Sequence, residues 1–258
     1  MIKIVLGKVE RYLHKVKEQD GIIFFGLIDP TAEDLRGSVE RARAFDVAGA
    51  DVILVGGSLG SLAGSILEEF VMKVNGQVSI PVMLYPGDIS GVTGKADALY
   101  YMSLMNSTNP YWITGAQALS APQIQRMDIE PIPTSLLVVE PGESVGWVGD
   151  AKPIPTHKPG IAAAYALAGE MLGHRITILE RGSGAPGPPP PEMFRAVDEA
   201  TEHLAICAGS VNNLEDIEKT VKAGADGLHV SSLIEEASDP FSKAKKVVSK
   251  CKEVATKT

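Results

Sequence analysis

The 258 residues suit one large domain or two small ones, and 45% hydrophobic content supplies a core, which excludes a disordered chain. A formal net charge of −8 without any block of Lys or Arg argues against an extended nucleic-acid or anionic-membrane surface, so bound phosphates would need local neutralisation by a metal ion, helix N-termini or a few placed cations. Cys207 and Cys251 are the only cysteines and lie far apart, which argues against a disulfide scaffold or a zinc site and fits a reducing cytoplasm.

Eight short apolar runs suited to buried parallel strands follow one another: Ile22 to Ile28, Val52 to Val55, Val82 to Tyr85, Ala98 to Met102, Leu136 to Val139, Ile176 to Leu179, Leu204 to Cys207 and Gly227 to Val230. The first is far too short to span a bilayer, and the N-terminus shows no secretory apolar region. Between most runs lie helical patterns, such as Ile161, Ala164, Tyr165, Ala168 and Leu172, or Leu214, Ile217 and Val221, spaced to form one apolar face. Eight β-then-α units in this length predict a single domain over 1–258 folded as a TIM (β/α)8 barrel. An internal echo agrees: Ala48-Gly49-Ala50-Asp51 and Ala223-Gly224-Ala225-Asp226 each lead into a strand whose tip carries small residues. The echo reads equally as a repeat or as a favoured αβ turn, and either supports the βα plan.

One unit is irregular. Pro86 to Lys95 is too short and too glycine-rich for a packing helix, so the third barrel helix is expected to be missing or replaced by a loop, opening a side groove. Beside that gap lie Tyr100, Tyr101, Met102, Met105, Tyr111 and Trp112 around Asn106-Ser107, readable as core packing or as the wall of a lipid-tail groove. The segment Ala185 to Pro191 holds five prolines and reads as a stiff spacer before a helix starting near Glu192.

Three consecutive strand ends share a chemistry. Ile178-Leu179-Glu180-Arg181-Gly182-Ser183-Gly184 passes from an apolar run through a carboxylate into a Gly-Ser-Gly loop, where backbone N–H groups can approach an anion. The next two runs end in Ala208-Gly209-Ser210 and Ser231-Ser232, so the three tips point to one phosphate pocket, with Glu180 as candidate general base or as a salt-bridge partner of Arg181 or Arg175. At the first strand end Asp29-Pro30 offers an oxygen ligand for Mg²⁺ or a helix cap, and Ser58 after Gly56-Gly57 offers a second ligand or another cap. The five histidines show no paired metal spacing, and His229, alone in an apolar strand, reads as packing.

These motifs together, with Leu27-Ile28-Asp29-Pro30, Val55-Gly56-Gly57-Ser58, Pro81 to Gly87, Met102 to Pro110, Val139-Glu140-Pro141-Gly142, Gly146 to Ala151 and Leu179 to Ala185, resemble the geranylgeranylglyceryl phosphate synthase family, in its archaeal-type branch, essentially end to end. The resemblance implies a TIM barrel lacking a regular third helix. It also implies transfer of the C20 chain of geranylgeranyl diphosphate to the 3-hydroxyl of sn-glycerol 1-phosphate, the first ether-bond step of archaeal membrane lipids. By the same resemblance Asp29 and Ser58 hold Mg²⁺, the segment Ile178 to Gly184 with Ala208-Gly209 and Ser231-Ser232 holds glycerol phosphate, and Glu180 helps deprotonate the attacking hydroxyl. It further implies homo-oligomers, and contact with a membrane only at its periphery, where a lipid product leaves.

The chain departs from the family pattern at Ile178 and Leu136, where tyrosine is common, at Arg181, where alanine is common, and at Ala208 and Ser231-Ser232, where Gly-Gly and Gly-Thr or Gly-Asn are usual. The Asp-rich motif of chain-elongating prenyl synthases is absent. The rival readings are a sugar-phosphate isomerase or lyase on a phosphate-binding barrel, and a barrel that binds phosphate without turnover.

Overall fold

The computed structural model describes residues 6–31, 33–57, 62–235 and 237–257. Strands β1 (Ile23–Ile28), β2 (Val52–Gly56), β3 (Val82–Tyr85), β4 (Ala98–Leu104), β5 (Glu130–Val138), β6 (Ile176–Glu180), β7 (Leu204–Ala208) and β8 (Gly227–Val230) pair in sequence order and in parallel. The sheet closes where β1 pairs with β8. Each strand alternates its side chains between two cores. Phe25, Leu54, Met83, Tyr100, Ile132 and Ile178 fill the barrel, whereas Phe24, Ile53, Leu84, Leu99 and Leu179 pack outward against the helices. The expected barrel and its strand order are therefore borne out.

Helix α1 (Lys8–Asp20) sends Val9, Leu13 and Val16 into the inner core and so plugs the end of the barrel from which the strands start. Glu130 binds its first turn, accepting the Val9 and Glu10 amides at 2.8 and 2.9 Å, and Glu10, fully buried, takes both Arg175 donors at 2.6 and 2.8 Å. Helices α2 (Leu35–Ala48), α3 (Gly64–Asn75), α4 (Ala116–Arg126), α5 (Glu143–Val148), α6 (Pro159–Met171), α7 (Pro191–Asp198), α8 (Leu214–Lys222), α9 (Ser232–Glu235) and α10 (Pro240–Ala255) follow the successive strands. Between β3 and β4 there is only a 3-10 turn at Ile89–Gly91, as the glycine-rich segment predicts.

Two expectations need correction. β5 starts at Glu130, six residues before the predicted Leu136, because Pro131 and Pro133 disguise its first half. The Glu130 amide donates to Asp97 on the β4 side, so both proline nitrogens face the other way, where β6 pairs only from Thr134↔Ile176 onward. Helix α6 buries Ala162, Ala166 and Gly169 rather than the predicted face: Ile161 and Leu172 are 42% and 71% exposed. Gly169 is required there because a Cβ would come within 2.0 Å of Ser135 Oγ, so the close approach to the sheet selects small residues over large apolar ones.

The Ala-Gly-Ala-Asp echo has a shared structural purpose. Gly49 and Gly224 adopt left-handed φ of +88° and +92°. The following carboxylates then accept an amide from the neighbouring strand, Asp51 from Phe24 and Asp226 from Ala205, both at 2.7 Å.

Candidate functional site

The strand ends opposite α1 surround one cavity that brings together Asp29, Glu180, Gly182, Ser183, Gly209 and Ser231. Ser232, the first residue of α9, joins the same wall. Ser58 lies outside the described residues. Glu180 ends β6 pointing into the barrel and is 6% exposed. Its Oε1 accepts the Gly182 amide at 2.6 Å and its Oε2 accepts the Tyr85 hydroxyl at 3.1 Å. Burial raises its pKa, while the Gly182 amide, the Tyr85 hydroxyl and the Arg181 backbone oppose the shift. A buried carboxylate with a raised pKa suits a proton acceptor. The salt-bridge reading fails on geometry, since Arg175 pairs with Glu10 and Arg181 turns elsewhere.

Gly209 makes room for this carboxylate. Its φ is +78°, and a Cβ there would fall 2.3 Å from Glu180 Oε1 and 2.6 Å from the Gly182 nitrogen. Ser210, also left-handed at φ +54°, donates its hydroxyl to the Gly182 carbonyl at 2.8 Å and so ties the β7 tip to the β6 loop. Ser183 and Gly184 are exposed, and of the two Ser183 lines the cavity. Ile178 and Ala208 lie buried in the barrel interior, and Leu179 points outward into the helical layer. Arg181 spends its guanidinium on the carbonyls of Glu140, Gly187 and Pro188, holding the proline-rich spacer against the β5 loop.

Asp29 stands at the rim after β1, and the cap of α2 is Asp34, which accepts the Gly37 amide at 3.1 Å. The helix-cap reading of Asp29 is thereby replaced. Gly57 is small because a Cβ would sit 2.0 Å from Asp29 Oδ1. Partial withdrawal from water, reinforced by the like charge of Glu235, pushes Asp29 up to about 6. Two carboxylates facing one cavity mouth form an oxygen-donor set of the kind Mg²⁺ takes alongside water and phosphate oxygens. Among the described residues no group of three or more His, Cys, Asp or Glu could hold a metal by itself.

The cavity continues sideways from Glu180 into the gap left by the missing helix, where Val92, Leu99, Met102, Trp112 and Ile124 line it. Of the aromatic and methionine group, Tyr100, Tyr101, Met102 and Trp112 reach this cavity, and Tyr100 is also fully buried core. Asn106 is a clamp: its amide group donates to the Val138 and Lys152 carbonyls at 2.9 Å each and accepts the Val138 amide at 3.0 Å. His229 packs inside the barrel with Nε2 at 3.1 Å from the Tyr100 hydroxyl, and burial drives its pKa down to about 3. Sequence reasoning missed Tyr85 and Glu235. Tyr85 carries a findable signal, a polar side chain at a strand end before Pro86-Gly87, whereas Glu235 sits in a short helix with no pattern.

No helix among the described residues is long and apolar enough to cross a membrane. Residues 14–251 match the PcrB family model. The geranylgeranylglyceryl phosphate synthase of Thermococcus kodakarensis is 48% identical over 232 residues, 90% of this chain and 91% of the relative. That of Methanosphaera stadtmanae is 45% identical over 239 residues, 93% and 97% of the two chains. The crystal structure of (S)-3-O-geranylgeranylglyceryl phosphate synthase from Thermoplasma acidophilum, in complex with its substrate sn-glycerol-1-phosphate, superposes with a TM-score of 0.89 at 30% identity. It covers 96% of this chain and 100% of that one. On sequence and on fold, the chain belongs to the PcrB family, together with these geranylgeranylglyceryl phosphate synthases.

Proposed function

We propose that the protein is a prenyltransferase that joins geranylgeranyl diphosphate to the 3-hydroxyl of sn-glycerol 1-phosphate, giving geranylgeranylglyceryl phosphate and diphosphate. The observation that carries this reading is one cavity with two chemistries: a polar end at Glu180, Gly209 and Ser231, and an apolar channel through the missing helix. The relatives' names and the glycerol phosphate bound to the Thermoplasma acidophilum protein support the same substrates. A sugar-phosphate isomerase has no use for the channel.

In the reaction the allylic C–O bond to diphosphate breaks, the glycerol oxygen forms a new C–O bond to the same carbon, and the hydroxyl proton passes to Glu180. The Gly182-Ser183-Gly184 loop, Gly209 and Ser231-Ser232 hold the glycerol phosphate, fixing its hydroxyl against Glu180. Asp29 would hold Mg²⁺ at the cavity mouth, and Ser58 is the second oxygen ligand that the family resemblance implies. Bound there, the ion supplies charge stabilisation for the departing diphosphate. The channel walls exclude water from the allylic carbon, which protects the developing positive charge from hydrolysis.

The test is turnover with geranylgeranyl diphosphate and each enantiomer of glycerol phosphate, with and without EDTA, read by mass spectrometry of the organic phase. A prenylglyceryl phosphate from the sn-1 enantiomer alone, lost on chelation, is the expected result. Intact diphosphate with both acceptors, in folded protein, overturns the reading in favour of a phosphate-binding barrel without turnover.

The buried free thiols Cys207 and Cys251 support a reducing, cytoplasmic setting. Ile161, Met171 and Leu172, all exposed on α6 or at its end, offer an apolar face that supports a homo-oligomer, checked by light scattering. Trp147, 80% exposed and next in sequence to Val148 of the cavity wall, supports peripheral contact with a lipid surface as product leaves.

A further inference from the structure

The base is held from two sides, and one of them is a side chain from across the barrel. Tyr85 ends β3, three strands away from β6, and its hydroxyl reaches Glu180 Oε2 at 3.1 Å while the Gly182 amide holds Oε1 at 2.6 Å. The phenol is itself aimed. Its ring meets Tyr100 edge-on at 5.7 Å and 81°, and His229 at 5.2 Å and 67°. The Tyr100 hydroxyl and His229 Nε2 lock those two rings to each other at 3.1 Å. Around the carboxylate, Leu136, Ile178 and Ala208 contribute only hydrocarbon to the inner wall.

We propose that Tyr85 is the positioning residue of the Glu180 base, a hydroxyl delivered from β3 that fixes the carboxylate plane so that one oxygen edge stays directed at the acceptor hydroxyl. The catalytic consequence of this contact rests on the prenyl-transfer reading, though the contact itself does not. Burial keeps the phenol protonated well above its ordinary range, so it acts as a donor throughout the working pH range. One donor on each oxygen favours the ionised carboxylate against a wall that favours the acid form. Rotation about the last side-chain bond, which would swing the basic oxygen away from the acceptor, is blocked at both ends. Removing the Tyr85 hydroxyl leaves Oε2 facing hydrocarbon and frees that rotation.

The test is Tyr85→Phe in the full chain, with two readouts. The first is the titration of Glu180 by ¹³C-carboxyl NMR, assigned by its loss in Glu180→Gln. The proposal expects the midpoint to rise by about one pH unit in Tyr85→Phe, as for loss of a hydrogen bond to a charged group. The second is the pH–rate profile. The acidic limb of kcat/KM should move up in parallel and kcat should fall about tenfold with KM little changed, a near-attack geometry loss rather than a binding loss. Incorporation of 3-fluorotyrosine at position 85, which keeps the donor, should restore the wild-type profile. An unmoved Glu180 titration overturns the proposal whether or not turnover occurs. A shifted titration with an unmoved rate profile in an active enzyme overturns the positioning role. Wild-type protein that transfers no prenyl group refutes the reaction reading instead, and the titration then still decides the contact.

Discussion

Replacing Glu180 by glutamine separates chemistry from architecture, because the site can absorb the change almost without loss. A glutamine amide oxygen in the place of Oε1 accepts the Gly182 amide now held at 2.6 Å, and its nitrogen in the place of Oε2 can donate to the Tyr85 oxygen at 3.1 Å after the phenol rotates. Both hydrogen bonds survive in number, so the cost to stability stays within about 1 kcal/mol. The sign works in favour of the variant at neutral pH. Burial raises the folded-state pKa of Glu180 above its unfolded value, so the native state binds more protons in that window and wild-type stability falls as pH rises through it. Glutamine carries no such penalty. For a chain of this size the melting temperature of Glu180→Gln should therefore lie within about 4 °C of wild type or above it at pH 7, with the difference shrinking on acidification. Turnover should fall by about 10²- to 10⁴-fold, the usual worth of a positioned general base. Calorimetry from pH 4.5 to 8 and the prenyl-transfer assay provide both readings. Near-normal turnover removes Glu180 from the chemistry, and a melting temperature lowered by more than about 10 °C shows the carboxylate to be structural.

Three further changes probe the parts around it. Gly209→Ala forces a left-handed alanine, costing about 1–2 kcal/mol, and drives its Cβ to 2.3 Å from Glu180 Oε1. Displacement of the base should lower kcat by about 100-fold, and wild-type kinetics would refute the close fit. Glu10→Ala leaves Arg175 facing a fully buried position without its carboxylate, so urea denaturation should show a loss of about 3–5 kcal/mol with turnover of the folded fraction unchanged. Ile124→Trp fills the apolar channel beside α4; kcat/KM for the C20 donor should fall at least about tenfold while a C10 donor is still used, and equal use of both would place the chain elsewhere.

The barrel was legible because its signals are local. Each strand is a short β-rich run, each turn a glycine or an Ala-Gly-Ala-Asp, and the missing helix declared itself in Pro86 to Lys95. The failures were long-range. The first half of β5 hid behind Pro131 and Pro133, which are harmless only because β6 begins late on that side. The buried face of α6 was misplaced because a helix lying close on Ser135 selects Ala162, Ala166 and Gly169, so its larger apolar residues point outward. In the site, the Gly-Ser-Gly loop after Glu180 and the proline after Asp29 marked both carboxylates as strand-end groups. The partner Tyr85, 95 residues away in sequence, shows itself only as a polar side chain at a strand end before Pro86-Gly87, and nothing local ties it to Glu180.

Carboxylates beside small residues occur at both ends of this barrel and mean opposite things. At the strand starts Asp51, Asp97 and Asp226 each accept a neighbouring strand's amide, at 2.7 to 2.8 Å, and Lys252 and Lys17 neutralise Asp51 and Asp226. Those charges are consumed by the sheet. At the strand ends Glu180 and Asp29 look across glycines that leave no room for a Cβ, with no lysine or arginine in a salt bridge to either among the described residues. Burial raises the pKa of both, as it does that of Asp51, so what sets the mouth apart is the missing cation: these two carboxylates face a proton or a cation brought by substrate. The difference is set by strand polarity alone: an acidic residue entering a parallel strand meets unpaired amides of its neighbour, while one leaving it faces the open mouth. The same composition thereby stabilises one face of the barrel and arms the other.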